Sequence, residues 1–147
     1  MFRLPTRVDL EPGCASRLPE LIRQMESVTP LVITDPGVRS TDWFEPLLAT
    51  CSSCLIEDQV SPNPKAAEVN TIAETARSQG VDLVVGIGGG SVLDAAKAVA
   101  MLLQNPGHIS DYEGKDQFRN GSTPFVAVPT TCGTGSEVTW VSVISTP

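Results

Sequence analysis

Basic charge is scarce in this sequence: ten Lys and Arg stand against seventeen Asp and Glu, a net charge of −7 over 147 residues. The ten are scattered and form no stripe, which excludes a nucleic-acid partner, since a polyphosphate backbone needs a basic face. Long apolar runs are also missing. None approaches the length that crosses a bilayer, and the start "MFRLPTRVDLEP" lacks the apolar stretch of a secretory signal. No membrane partner is expected, and a cytoplasmic address follows by default. Histidine occurs once, as His108 in "NPGHIS", and is read as an ordinary loop residue, because one imidazole makes no metal site. Of the four cysteines, Cys51 and Cys54 have CxxC spacing, but neither a second CxxC nor a His pair accompanies them. They read as small buried residues leading into the strand "CLIE".

What is there is the composition of one globular domain, 41% hydrophobic and 18% charged, long enough for a single core. Short Val/Ile/Leu-rich runs at 31–34, 54–57, 82–87 and 125–128 are nearly continuous rather than alternating, as strands covered on both faces are. A fifth candidate strand lies at 138–145, and "TRVDL" at 6–10 offers an edge strand. Helices are predicted at 64–80, with Pro64 in the first turn and Gly80 as the stop, and from Ser91 to about Gln104. Weaker helical signals lie at 14–26, where Pro19 starts the helix late or kinks it, and at 41–49; residues 105–123 read as a long surface loop. Alternating strands and helices predict an α/β fold: a doubly wound, mainly parallel sheet with helices on both faces. The chain is read as one domain, 1–147. Its last apolar run stops at the final residue with nothing to turn it back, which predicts the front part of a longer protein.

The segment "GIGGGSVLDAAK" (86–97) joins a strand to a helix. Ligands of open α/β sheets sit at such strand ends. Glycines let the backbone approach a pyrophosphate and aim N–H groups at it, and the helix start adds partial positive charge. Ser91 and Asp94 also have the S-x-x-D spacing of a capping box, which explains those two residues but not the glycines before them. The run departs from the G-x-G-x-x-G fingerprint, because position 91 is serine where glycine is needed. A second constellation, "PTTCGTGSEVT" (129–139), places hydroxyls and glycines at the end of another strand, suited to a ribose or phosphate and equally to an ordinary loop.

Together, "GIGGGSVLDAAKAVA" and "VPTTCGTGSEVT", with "VITDPGV" and "VSPNPK" upstream, resemble the iron-containing (group III) alcohol dehydrogenase family from about residue 3 onward. The resemblance implies the N-terminal, Rossmann-like nucleotide-binding domain, without the helical domain that holds a divalent metal, iron or zinc, in that family. It implies that Gly88, Gly89, Gly90 and Ser91 hold the NAD pyrophosphate, with Asp94 close by. Thr130, Thr131, Thr134 and Ser136 would line the ribose side, and Asn63 would lie near the adenine. Asp35 would accept hydrogen bonds from the adenosine 2′-hydroxyl and repel a 2′-phosphate, favouring NAD over NADP. The family's metal ligands, an Asp and three His, would lie further along, and no His follows His108 here.

The activity implied is interconversion of a small alcohol and its aldehyde or ketone in the full-length parent, often as a homo-oligomeric dimer; this chain alone would be inactive. Maleylacetate reductase, glycerol dehydrogenase and dehydroquinate synthase share the glycine loop, and a non-catalytic dinucleotide-binding module is the alternative from another class.

Overall fold

The computed structural model describes residues 6–139 and 141–146. Four parallel strands, β1 (Pro30–Ile33), β2 (Leu55–Glu57), β3 (Leu83–Gly88) and β4 (Phe125–Pro129), form one sheet in the order β2-β1-β3-β4. The two central strands are buried along their whole length, which is why they read as unbroken apolar runs; the edge strands are half-exposed. Leu31, Ile33 and Val84 face the helices α4 (Ala66–Ser78) and α5 (Gly90–Gln104). Val32, Leu83, Val85 and Ile87 face the other way, onto α1 (Leu18–Gln24) and α3 (Phe44–Leu48), where Phe44 is fully enclosed. The single-turn α2 (Pro36–Arg39) follows β1.

The chain leaves β1 toward β2 on one side and then crosses back to β3 and β4 on the other. Right-handed crossovers therefore place α3 on one face and α4 and α5 on the opposite one. The crevice between the ends of β1 and β3 is the point where the winding reverses, and it is where such sheets take ligands. Close packing of α5 depends on side chains that are absent. A Cβ at Gly86 would stand 3.0 Å from the Ala96 Cβ, and one at Gly88 would meet Val92 atoms at 2.7 to 2.9 Å. With Ala95, Ala96 and Ala98 buried beside them, the helix lies almost on the backbone of β3.

Several sequence expectations are corrected. Residues 6–10 form no strand: Arg7 instead makes two hydrogen bonds to the Asp9 carboxylate, both 3.0 Å, and Val8 and Leu10 stay exposed. The candidate strand 138–145, of which residue 140 lies outside the described residues, shows among those described only one isolated bridge, from Ser145 to Lys65. Its ladder groups are engaged elsewhere, Val141 O by the Lys97 ammonium and Val143 N by the Asp94 carboxylate. Pro19 sits in the first turn of α1, after a 3-10 turn at Cys14–Arg17, so it starts the helix and does not kink it. Cys51 and Cys54 are joined as a disulfide and are not two separate packed thiols.

The 105–123 loop is surface-lying but organised. It carries a 3-10 turn at Ile109–Tyr112, Tyr112 stacks on Phe118 at 4.4 Å, and the buried Asn105 amide donates to Met101 O at 2.9 Å and accepts from Asn120 N at 2.9 Å. Among the described residues no helix is long and apolar enough to cross a membrane.

At the end of the sheet away from that crevice, Asp82 ties the approaches to β1 and β3 together. Its carboxylate accepts from Ser27 Oγ at 2.5 Å, Val28 N at 2.7 Å and Thr29 N at 3.1 Å. Partial burial pushes its pKa upward, and these hydrogen bonds outweigh that push and hold it below the ordinary 3.8. The stability this supplies is fully present above the ordinary carboxylate range and is lost as pH falls through the lowered folded value. Asp82→Asn is therefore expected to cost about 1 kcal/mol at neutral pH. The difference from wild type should shrink in acid, as followed by urea unfolding from pH 7 to pH 3; a constant difference would show that ionisation of Asp82 is irrelevant.

Candidate functional site

Every strand delivers one piece of the site to the same sheet edge. From β1 comes Asp35, half-buried, whose Oδ1 accepts from Val38 N at 3.0 Å and so caps α2. Pro36 in the first turn completes this helix start. Beyond β2 comes Asn63, held in the left-handed region at φ 56°. From β3 come Gly88, Gly89 and Gly90, and from β4 the turn 130–139.

The site differs locally from the capping-box reading. Helix α5 begins at Gly90, its N-cap is Gly89, and no side chain caps it. Ser91 is already inside the first turn, where its Oγ accepts from Asn63 N at 3.3 Å. Asp94 is turned away from the helix start, its Oδ1 3.1 Å from Lys97 Nζ and its Oδ2 accepting from Val143 N at 3.1 Å. The Ser91–Asp94 spacing thus mimics a capping box without making one. The first N–H groups of a 15-residue helix are left without a side-chain acceptor, at the end that carries the helix's partial positive charge.

The hydroxyl-rich turn closes over this opening. Thr130 N donates to Gly88 O at 3.0 Å, extending the β3–β4 pairing past the strand ends. A Cβ at Gly89 would lie 3.2 Å from Thr131 Oγ1, and one at Gly90 would fall 2.9 Å from Thr134 Cγ2. Gly133 and Gly135 take positive φ, 110° and 67°, which bends the turn back toward α5. Ser136 is buried behind the rim, its N–H donating to Thr134 Oγ1 at 3.3 Å, while Thr130, Thr131 and Thr134 are exposed. Of the predicted residues, Asn63, Gly88, Gly89, Gly90, Ser91, Thr130, Thr131 and Thr134 come together around one opening. Asp35 stands at the neighbouring strand end, and Asp94 and Ser136 lie behind.

Two residues that sequence reasoning passed over support this edge. Thr34 is fully buried at the end of β1, and its Oγ1 donates to Ile87 O at 2.7 Å, fixing the spacing between Asp35 and the glycine loop. Its signal was a lone hydroxyl ending the apolar run "LVIT". Lys97 is the second, for its hold on Val141 O; a lysine on an alanine-rich helix gives no such sign.

A helix start with free donors, a floor on which a Cβ would collide and a hydroxyl wall together fit a pyrophosphate and ribose. No group of three or more His, Cys, Asp or Glu that could hold a metal ion occurs among the described residues, so they do not fit a metal centre. A cleft of about 620 Å³ lies elsewhere, between α5, the 109–122 loop and residues 141–146, and contains none of the residues around the opening.

Comparison with known proteins shows which family has this sequence and fold. The chain is 34% identical to Alcohol dehydrogenase 4 of Schizosaccharomyces pombe, covering 98% of this chain and 35% of that protein. It is 32% identical to choline dehydrogenase of Bacillus subtilis, over 98% of this chain and 38% of that one. Among solved structures, sulfoacetaldehyde reductase from Bifidobacterium kashiwanohense in complex with NAD+ superposes with a TM-score of 0.89 at 31% identity, covering 99% of this chain and 40% of that chain. The chain thus spans between a third and two fifths of the length of these relatives. Residues 5–147 match the family described as iron-containing alcohol dehydrogenase, and the chain belongs to that family.

Proposed function

We propose that this chain is the dinucleotide-binding part of an NAD-dependent oxidoreductase that interconverts a small alcohol and its aldehyde or ketone by metal-assisted hydride transfer. The observation that carries the reading is the uncapped start of α5, floored by glycine and walled by the 130–136 turn. When bound, NAD supplies the nicotinamide that exchanges the hydride. The chain's own residues bind and orient it. Backbone N–H groups at Gly89, Gly90 and Ser91 meet the pyrophosphate without adding a cation. Thr130, Thr131 and Thr134 offer hydroxyls to the ribose side and Ser136 braces Thr134, while Asn63, tied to Ser91, borders the adenine side. Asp35 presents a carboxylate to the adenosine ribose, where a hydroxyl is welcome and a phosphate is repelled. The described residues offer no ligand set to hold the metal.

The small-molecule substrate, the cytoplasmic address and homo-oligomeric assembly belong to the same proposal for the whole protein. Assembly is supported by the exposed apolar side chains of Val8 and Leu10.

Two measurements test the site. Gly90→Ala pushes Thr134 out of its place and is expected to weaken NAD binding by calorimetry about tenfold, roughly 1.4 kcal/mol. Equal affinity would remove the turn from the site. Asp35→Ser keeps an oxygen to cap α2 while removing the charge, so the preference for NAD over NADP should narrow about tenfold with little change in thermal stability. An unchanged preference would take Asp35 out of cofactor selection.

A further inference from the structure

The buried ion pair on α5 reaches the turn from behind. Asp94 and Lys97 have side chains only 11% and 12% exposed, with Oδ1 and Nζ 3.1 Å apart. Asp94 Oδ1 has no hydrogen-bond partner among the described residues, so its compensation is the Lys97 charge. Among the described residues, every other polar contact of the two charged groups goes to one segment. Lys97 Nζ donates to Val141 O, to Thr139 O at 3.4 Å and to Thr139 Oγ1 at 3.5 Å, and Asp94 Oδ2 accepts from Val143 N at 3.1 Å.

From Thr139 the connection runs straight into the hydroxyl turn. Val138 N and Thr139 N both donate to Gly135 O at 3.1 Å, and Ser136 N donates to Thr134 Oγ1 at 3.3 Å. Thr134 in turn packs where a Gly90 side chain would be. The turn is therefore held to α5 by contact at Gly90 and by charge at Asp94 and Lys97, about one and two helical turns further along. A buried pair of this kind holds its geometry strongly, because moving the segment away would leave both charges with unmet hydrogen-bond demand.

From this geometry we infer that Asp94 and Lys97 are positioning residues for the cofactor: they clamp Thr139, Val141 and Val143 across α5 and so set the distance between the 130–136 wall and the glycine floor. Neither touches the opening, and both act through the turn. The inference rests on the cofactor reading above and adds the part of the chain that fixes the width of the site.

The double variant Asp94→Asn/Lys97→Met removes the clamp without stranding a buried charge. Lys97→Met alone strands Asp94 and should melt at a lower temperature than the double variant. Amide hydrogen exchange on the double variant should show protection lost over 131–143 and kept in β3 and the rest of α5, and NAD affinity by calorimetry should fall at least fivefold. Protection retained over 131–143 would overturn the clamp, whatever NAD does. Protection lost with unchanged NAD affinity would reduce the pair to a purely structural role and overturn the inference. If wild type fails to bind NAD at millimolar concentration, the cofactor reading itself falls, and the positioning role with it.

Discussion

The contact on which the rest of this structure depends is the approach of α5 to β3. At Gly86 and Gly88 a single added carbon would collide with Ala96 or Val92, so the helix and the strand are as close as backbone and small side chains allow. That closeness has two effects. It packs Val92, Ala95, Ala96 and Val99 into the core on one face of the sheet. It also brings the first turn of the helix directly over the strand end, so that donors emerge at the crevice between β1 and β3, where the winding reverses.

The other contributions to the site are arranged around this fixed element. Thr34 spans from β1 to Ile87 O and holds the neighbouring strand end at a set spacing. The turn after β4 continues the pairing with β3 through Thr130 N and then folds back over α5. Asn63 reaches Ser91 from beyond β2. These ties are long in sequence, 53 residues for Thr34 and 28 for Asn63, yet all are made at a single edge. A parallel sheet makes this possible, since it turns every strand end the same way.

The central part of the fold was readable because burial on both faces leaves one mark. The runs "LVIT" and "DLVVGI" are apolar without alternation, and the structure buries both at the middle of the sheet. The cradle was readable too, since four glycines in five positions exceed what a helix cap requires. Two misreadings share a cause. Residues 138–145 are rich in Val and Ile as a strand is, but Val141 O goes to Lys97 and Val143 N to Asp94, partners up to 49 residues away that no local pattern announces. Ser91 and Asp94 have capping spacing, but the helix starts one residue earlier, at Gly90, and so leaves Ser91 free to meet Asn63. In both cases local spacing suggested a local partner, and a distant one took its place. The disulfide of Cys51 and Cys54 was missed for another reason: spacing alone does not distinguish two packed thiols from a bonded pair.

The uncapped start of α5 has a consequence for the behaviour of the molecule in solution. A helix end with unanswered donors and partial positive charge does not discriminate among small anions, so on the proposed reading sulfate, phosphate or carboxylate buffers would compete with a dinucleotide for the same groups. An anion that occupies it also binds the folded chain and not the unfolded one. At a hundredfold excess over its dissociation constant such a ligand adds about 2.7 kcal/mol to stability. The melting temperature of this chain in such a buffer would then report the anion as well as the fold, and the same salt would lower the affinity measured for a dinucleotide.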